Sequence, residues 1–138
     1  MPRKETISSL KKLAWNDFSK YIRLRDCIKT TGTKDRGKCI TCGTEYPFNK
    51  LQAGHFLAGR NATILFHEDM VNAQCYACNV MKHGNADEYW PIMLEKYGKE
   101  KIEEWQILKK QTKRWTKDEL KEIRQNFKDE YNLINDLN

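Results

Sequence analysis

Two cysteine pairs dominate what this chain can fold into: Cys39-Ile40-Thr41-Cys42 and Cys75-Tyr76-Ala77-Cys78. Two thiolates separated by two residues can grip one metal ion from a tight turn. Two such turns complete a tetrahedral shell of four sulfurs, which suits Zn²⁺. Gly43, directly after the first pair, lets the backbone curl around it. The stretch between the pairs, residues 43–74, is longer than a simple zinc ribbon requires and has room for a hairpin. The competing reading is a redox dithiol, but that chemistry wants an electropositive CxxC at a helix start in a βαβ setting. Cys27 stands outside the pattern and is expected to pack against the first helix.

The reading of the cysteines as metal ligands agrees with the expected compartment. No stretch is long and apolar enough to span a bilayer, and no apolar run follows the charges of Met1-Pro2-Arg3-Lys4-Glu5. The chain is therefore expected to be cytoplasmic, where thiols stay reduced. The net charge of +6 is unevenly spread: residues 1–38 hold 11 Lys/Arg against 4 Asp/Glu, while residues 39–84 hold 3 of each. A basic first quarter suits phosphate contacts and steering toward a polyanion, and equally suits a solvated lysine-rich helix face.

Ile7, Leu10, Ala14, Phe18, Tyr21 and Ile22 recur at spacings of three and four, which predicts a helix over about 5–26 with one buried stripe. Leu51 to Phe56 and Thr63 to Phe66 read as short strands, joined by a loop through Ala58-Gly59-Arg60-Asn61. Tyr76 to Lys82 can be helical, with Gly84 as the stop. Asn85 can cap a helix through Tyr97, in which Pro91 forces a kink or marks the true start. A further helix is expected over 99–113, and Thr116-Lys117-Asp118-Glu119 reads as a capping box for a last one. The four tryptophans, Trp15, Trp90, Trp105 and Trp115, sit at helical apolar positions and are expected in core or interface.

Within and just after the zinc loop, Gly54-His55-Phe56, Asn72 and Cys78-Asn79 precede Lys82-His83-Gly84. This order of His, Asn and Cys-x-x-Cys-Asn-x-x-Lys resembles the HNH nuclease motif, a ββα fold around one catalytic metal. The cysteine pairs resemble its zinc-bearing branch, which includes endonuclease VII-type phage junction resolvases. Flanking segments extend the likeness. Tyr21-Ile22-Arg23-Leu24-Arg25-Asp26-Cys27, Leu51-Gln52-Ala53-Gly54-His55-Phe56 and Asn72-Ala73-Gln74-Cys75 are similar to the NinG (Rap) recombination proteins of lambdoid phages. That resemblance implies a phage- or prophage-encoded endonuclease of recombination acting on branched DNA in a bacterial host. Two incisions per junction then imply a homodimer, for which the C-terminal helices can supply the interface.

Under this reading His55 is the general base, because imidazole is the side chain that titrates near neutrality. A hard cation, Mg²⁺ or Mn²⁺, would stabilise charge on the phosphate and leaving group. Asn79 offers it an oxygen, and His83, one helical turn on, is a further ligand candidate, although alone it reads equally as a polar helix end. Asn72 is expected to pin the loop that holds His55. HNH motifs usually carry a carboxylate just before the histidine; here that place is Gly54, leaving waters, His83, Glu68 or Asp69 to complete the shell. Arg23, Arg25 and Lys82 are the candidates for DNA contact.

The expected fold is α+β: a zinc-stabilised ββα-metal, HNH-like core (39–84) flanked by a basic N-terminal helix and loop (1–38) and a C-terminal helical region (85–138). The expected function is a metal-dependent DNA endonuclease. The alternatives are a zinc-dependent DNA-binding module without catalysis, with Gly54 as its scar, and a structural zinc adaptor that binds protein.

Overall fold

The computed structural model describes residues 5–59 and 61–138. Arg3 and Lys4 of the basic N-terminus, and Arg60 of the expected loop, lie outside the described residues. Helix α1 spans Ile7–Thr31. Thr6 caps it: Ser9 N donates to the Thr6 hydroxyl and Thr6 N donates to the Ser9 hydroxyl, each at 3.0 Å. The helix runs on past residue 26 because Thr30 and Thr31 support it instead of breaking it. Their hydroxyls donate to the carbonyls of Asp26 (2.7 Å) and Cys27 (2.9 Å), one turn back. It stops at Gly32, whose φ of 76° few other residues adopt.

Strands β1 (Arg36–Lys38) and β2 (Glu45–Pro47) form an antiparallel hairpin with the first cysteine pair in its turn. Gly43, at φ 73°, closes that turn by donating to Cys39 O at 2.9 Å. Strand β3 (Leu51–His55) pairs antiparallel with β4 (Val71–Cys75), with Gly54 opposite Asn72 and His55 opposite Val71. The expected strand over Thr63–Phe66 is instead a turn, in which Ile64 N donates to Asn61 O and His67 N to Ile64 O. Its apolar character reflects tertiary packing: Ile64 joins Phe56, Leu57, Met70, Tyr89, Met93, Ile102 and Trp105 in one core cluster.

Because side chains alternate along a strand, the β3–β4 pair has two unlike faces. Ala53 and Val71 pack on Phe18, Tyr21 and Ile22 of α1 and on Phe127. Gln52, Gly54, Asn72 and Gln74 occupy the opposite face. After β4 a π-helical turn, Ala77–Met81, brings Cys78 back toward Cys75, and Gly84 and Asn85 (φ 94° and 51°) redirect the chain. Helix α2 then spans Ala86–Tyr97 with Pro91 inside it, so the proline does not mark its start. The Asn85 side chain forms no cap; its amide donates to Cys78 Sγ at 3.5 Å. Helices α3 (Lys99–Lys110) and α4 (Lys117–Leu137) follow. The capping box expected at Thr116 is present, with reciprocal Thr116–Glu119 bonds of 3.0 and 3.1 Å. Leu120 and Phe127 of α4 pack against Leu10, Ala14, Phe18 and Tyr21 of α1, so the two ends of the chain share a core. No helix among the described residues is long and apolar enough to cross a membrane.

One polar clamp ties α1 to the start of β4. Arg25 donates to Asp26 Oδ1 (2.9 Å), Glu68 O (2.9 Å), Val71 O (2.9 Å) and Asn72 Oδ1 (3.3 Å), and Asp26 Oδ2 accepts from Ala73 N at 2.7 Å. Asp26 is buried, so removing its cationic partner strands a carboxylate in the interior. Arg25→Ala should therefore lower unfolding free energy by about 3 kcal/mol, read from urea denaturation. A loss below about 0.5 kcal/mol would make the clamp incidental.

Candidate functional site

The four pattern cysteines converge. The Sγ atoms of Cys39, Cys42, Cys75 and Cys78 all lie within 4.8 Å of one another, an arrangement that can hold one tetrahedral zinc ion. Three of the four cysteines are buried, and Cys42 is exposed. Burial pushes the Cys39 thiol up, but the Thr41 hydroxyl and the backbone amides of Cys42, Cys75 and Thr41 outweigh it and bring the pKa down to about 6. Burial dominates at Cys78 and pushes it up to about 11. The Thr41 hydroxyl lies 3.2 Å from Cys39 Sγ and also accepts from Gln74 Nε2 at 3.2 Å. Cys27 takes no part: it sits in α1 against Leu51 and Ala73, where burial raises its thiol to about 11.

The knuckles flank a groove of about 560 Å³. His55 reaches it from the end of β3, Asn79 from the π-helical turn, His83 from the turn beyond, and Arg23 and Trp15 from α1. His55 stacks on Trp15 with centroids 5.2 Å apart and planes 16° apart, and its Nε2 lies 3.2 Å from Leu65 O. A carbonyl can only accept, so in that bond Nε2 is the donor. Asn79 Nδ2 donates to Gln52 Oε1 at 2.8 Å. A second groove of about 520 Å³ shares His55, His83 and Gly84 and continues to Lys109 and Lys110 at the end of α3.

Asn72 lies behind the groove, not in it. Its Nδ2 donates to Tyr89 Oη at 3.0 Å, Tyr89 donates to Gly54 O at 2.9 Å, and its Oδ1 accepts from Arg25. This buried chain fixes the strand one residue before His55. The two arginines point to different surroundings. Arg23 borders the groove, donating to Ser19 O at 3.2 Å and lying over the Phe48 ring at 4.7 Å. Arg25 is turned inward to the clamp described above. Lys82 is exposed just beyond the π-helical turn and does not line either groove. Glu68 and Asp69 also lie outside both grooves; Glu68 accepts from Tyr21 Oη at 3.3 Å and borders a separate cavity. No carboxylate lines the groove of His55 and Asn79 among the described residues. Lys109 and Lys110 were missed by sequence reasoning, since a basic last helical turn is also ordinary dipole complementation.

Comparison with known proteins places the chain. It is 28% identical over 131 residues to the protein NinG of Salmonella phage P22, covering 92% of this chain and 64% of that protein. It is also 28% identical over 122 residues to the protein NinG of Escherichia phage 933W, covering 86% of this chain and 60% of that one. The chain thus spans under two thirds of the length of these relatives. No solved structure matches it. The family model described as the bacteriophage lambda NinG protein matches residues 2–136, and the chain belongs to that family.

Proposed function

We propose that this phage protein is a zinc-stapled, metal-dependent DNA endonuclease whose reacting groups face the groove of His55. The observation that carries the reading is the convergence of His55, Asn79 and His83 on one groove, with Asn72 bracing the strand behind. The β3–β4 hairpin followed by a helical turn has the order expected of a ββα nuclease core. His55 is the group that would accept the proton of an attacking water, while the Nε2 bond to Leu65 O and the Trp15 stack hold the ring in place.

The donor set fits a hard cation of modest affinity. Asn79 contributes a neutral amide oxygen and His83 an imidazole, which suits Mg²⁺ or Mn²⁺ that keeps several waters. Such an ion, when bound, would stabilise charge on the phosphate and the leaving oxygen. Arg23 at one end and Lys109 and Lys110 at the other place basic side chains along the two joined grooves, a track for a phosphate backbone. Branched DNA is the proposed substrate and a homodimer the proposed assembly, both on the family resemblance. The decisive experiment is nicking of branched and linear duplex DNA in Mg²⁺, Mn²⁺ or EDTA.

DNA contact has its own test. Arg23→Ala, and separately Lys109→Ala with Lys110→Ala, should weaken DNA binding and flatten its salt dependence by roughly one unit of slope per lost phosphate contact. Fluorescence anisotropy at a series of salt concentrations reads this. An unchanged slope in both variants would place the DNA on another face.

A further inference from the structure

The second groove, of about 520 Å³, is built differently from a plain phosphate track. Phe56, Leu57, Ala58, Ala86 and Trp90 give it an apolar wall. Lys109 and Lys110 add positive charge, and no carboxylate lines it among the described residues. It joins the first groove through His55, His83 and Gly84, which line both. Its volume falls in the roughly 300–1,000 Å³ range of small-ligand sites. A duplex backbone crossing the surface would use the cations alone, because paired bases keep their faces inside the stack. An apolar, aromatic wall beside lysines suits a base that has left the stack.

We propose that this groove is a nucleotide subsite: one unpaired base of the bound strand lies against Trp90, while Lys109 and Lys110 hold the flanking phosphates. The inference rests on the DNA-binding reading given above and adds what the protein recognises in DNA that is not fully paired. Trp90 is the tryptophan placed for this. Trp105 is buried, Trp15 stacks on His55, and the Trp115 ring carries Lys113 Nζ at 4.5 Å from its centroid. Trp90 is half-buried, lines the groove and is braced by the Phe56 ring at a centroid distance of 4.8 Å. A ring held in place before binding loses little freedom when a base stacks on it.

The rest of the lining fits a base as well. Asn61 and Gln106 bring two amides to the groove, and an amide offers both donor and acceptor to the edge of a base. Asn61 is tied to the end of α3, where its Nδ2 donates to Lys109 O at 3.3 Å. Extruding a paired base costs free energy, and a base that is already unpaired avoids that cost. Stacking on Trp90 therefore favours DNA with an unpaired base over plain duplex. Because His55 lines both grooves, a base seated on Trp90 anchors the strand beside His55.

The test uses the zinc-loaded full chain, without added divalent metal, and three labelled DNAs. These are a paired duplex, the same duplex with one extra unpaired deoxyadenosine, and that bulged duplex with an abasic sugar replacing the deoxyadenosine. Fluorescence anisotropy reads the affinities. The wild type should bind the deoxyadenosine bulge at least about tenfold more tightly than the abasic bulge, which carries the same backbone charge. Trp90→Ala should bring that ratio near one, and Trp90→Phe should keep most of it. The abasic comparison needs no variant, so it stands whether or not Trp90→Ala folds. Equal wild-type affinity for the deoxyadenosine and abasic bulges would overturn the inference alone, as would a folded, zinc-loaded Trp90→Ala that keeps the wild-type ratio. Absence of binding to all three DNAs would overturn the DNA-binding reading and this inference together.

Discussion

Cys75→Ser should lose the zinc ion and, with it, the local fold of both knuckles. Cys75 ends β4, and its sulfur sits 3.9 Å from Cys42 Sγ while accepting from Cys78 N at 3.5 Å. It is the thiol that joins the hairpin turn of the first pair to the helical turn of the second. A serine hydroxyl at that place is a poor zinc ligand, and the three remaining thiols leave a coordination place open. Structural zinc sites of this type contribute roughly 10 kcal/mol or more to folding of the segment that holds them. The thermal midpoint should fall by more than about 10 °C, and metal analysis should read well under one zinc per chain. Cys27→Ser is the matched control, since Cys27 packs in a separate cluster: it should keep one zinc per chain. A full equivalent of zinc in Cys75→Ser would show that Cys75 is not needed to hold the ion.

What could be read in advance divides by the range of the interaction. The four-cysteine cluster was legible because a CxxC turn is local and its meaning hardly depends on the rest of the fold. The same holds for the Thr116 capping box, where donor and acceptor lie within one turn. The extra length of α1 was not legible, because Thr30 and Thr31 break helices by propensity and support this one through two hydroxyl bonds. Strand β4 escaped because all five of its residues are buried, the polar Asn72 and Gln74 included, so no solvent-facing alternation exists to be read. In its place Thr63–Phe66 looked strand-like, since a buried turn and a buried strand draw on the same apolar residues.

The site shows the same division. His55 and Asn79 meet in one groove, as their order in the chain suggested, and Asn72 lies behind it as a brace. Arg23 and Arg25 were indistinguishable as charges. Two residues apart on α1, they face different surroundings, and Arg25 meets Asp26, two carbonyls and Asn72. In the sequence Gly54 was a departure from the usual carboxylate; in the structure Gln74, which no local pattern connects to it, takes the space a side chain there would fill.

His55→Ala should leave the protein folded, zinc-loaded and able to bind DNA, yet nearly inactive. The ring is half-buried at the end of β3, where its stack on Trp15 and its bond to Leu65 O lie at the edge of the core. Losing a positioned base costs about 10²- to 10⁴-fold in rate. The residual rate should climb with pH, because hydroxide then takes over the work of the missing imidazole. Asn72→Ala should also reduce activity, but with lower stability, since it breaks the buried Arg25–Asn72–Tyr89–Gly54 chain.

The most direct measurement compares cleavage of a branched duplex by the wild-type protein and by His55→Ala, in Mg²⁺ and in Mn²⁺, with EDTA as the blank. The account predicts divalent-dependent nicking by the wild type and a loss of at least about 100-fold in His55→Ala at equal zinc content and DNA affinity. Equal cleavage by the two proteins in both metals, at the level of the EDTA blank, would contradict it and leave a zinc-dependent DNA-binding module as the better description.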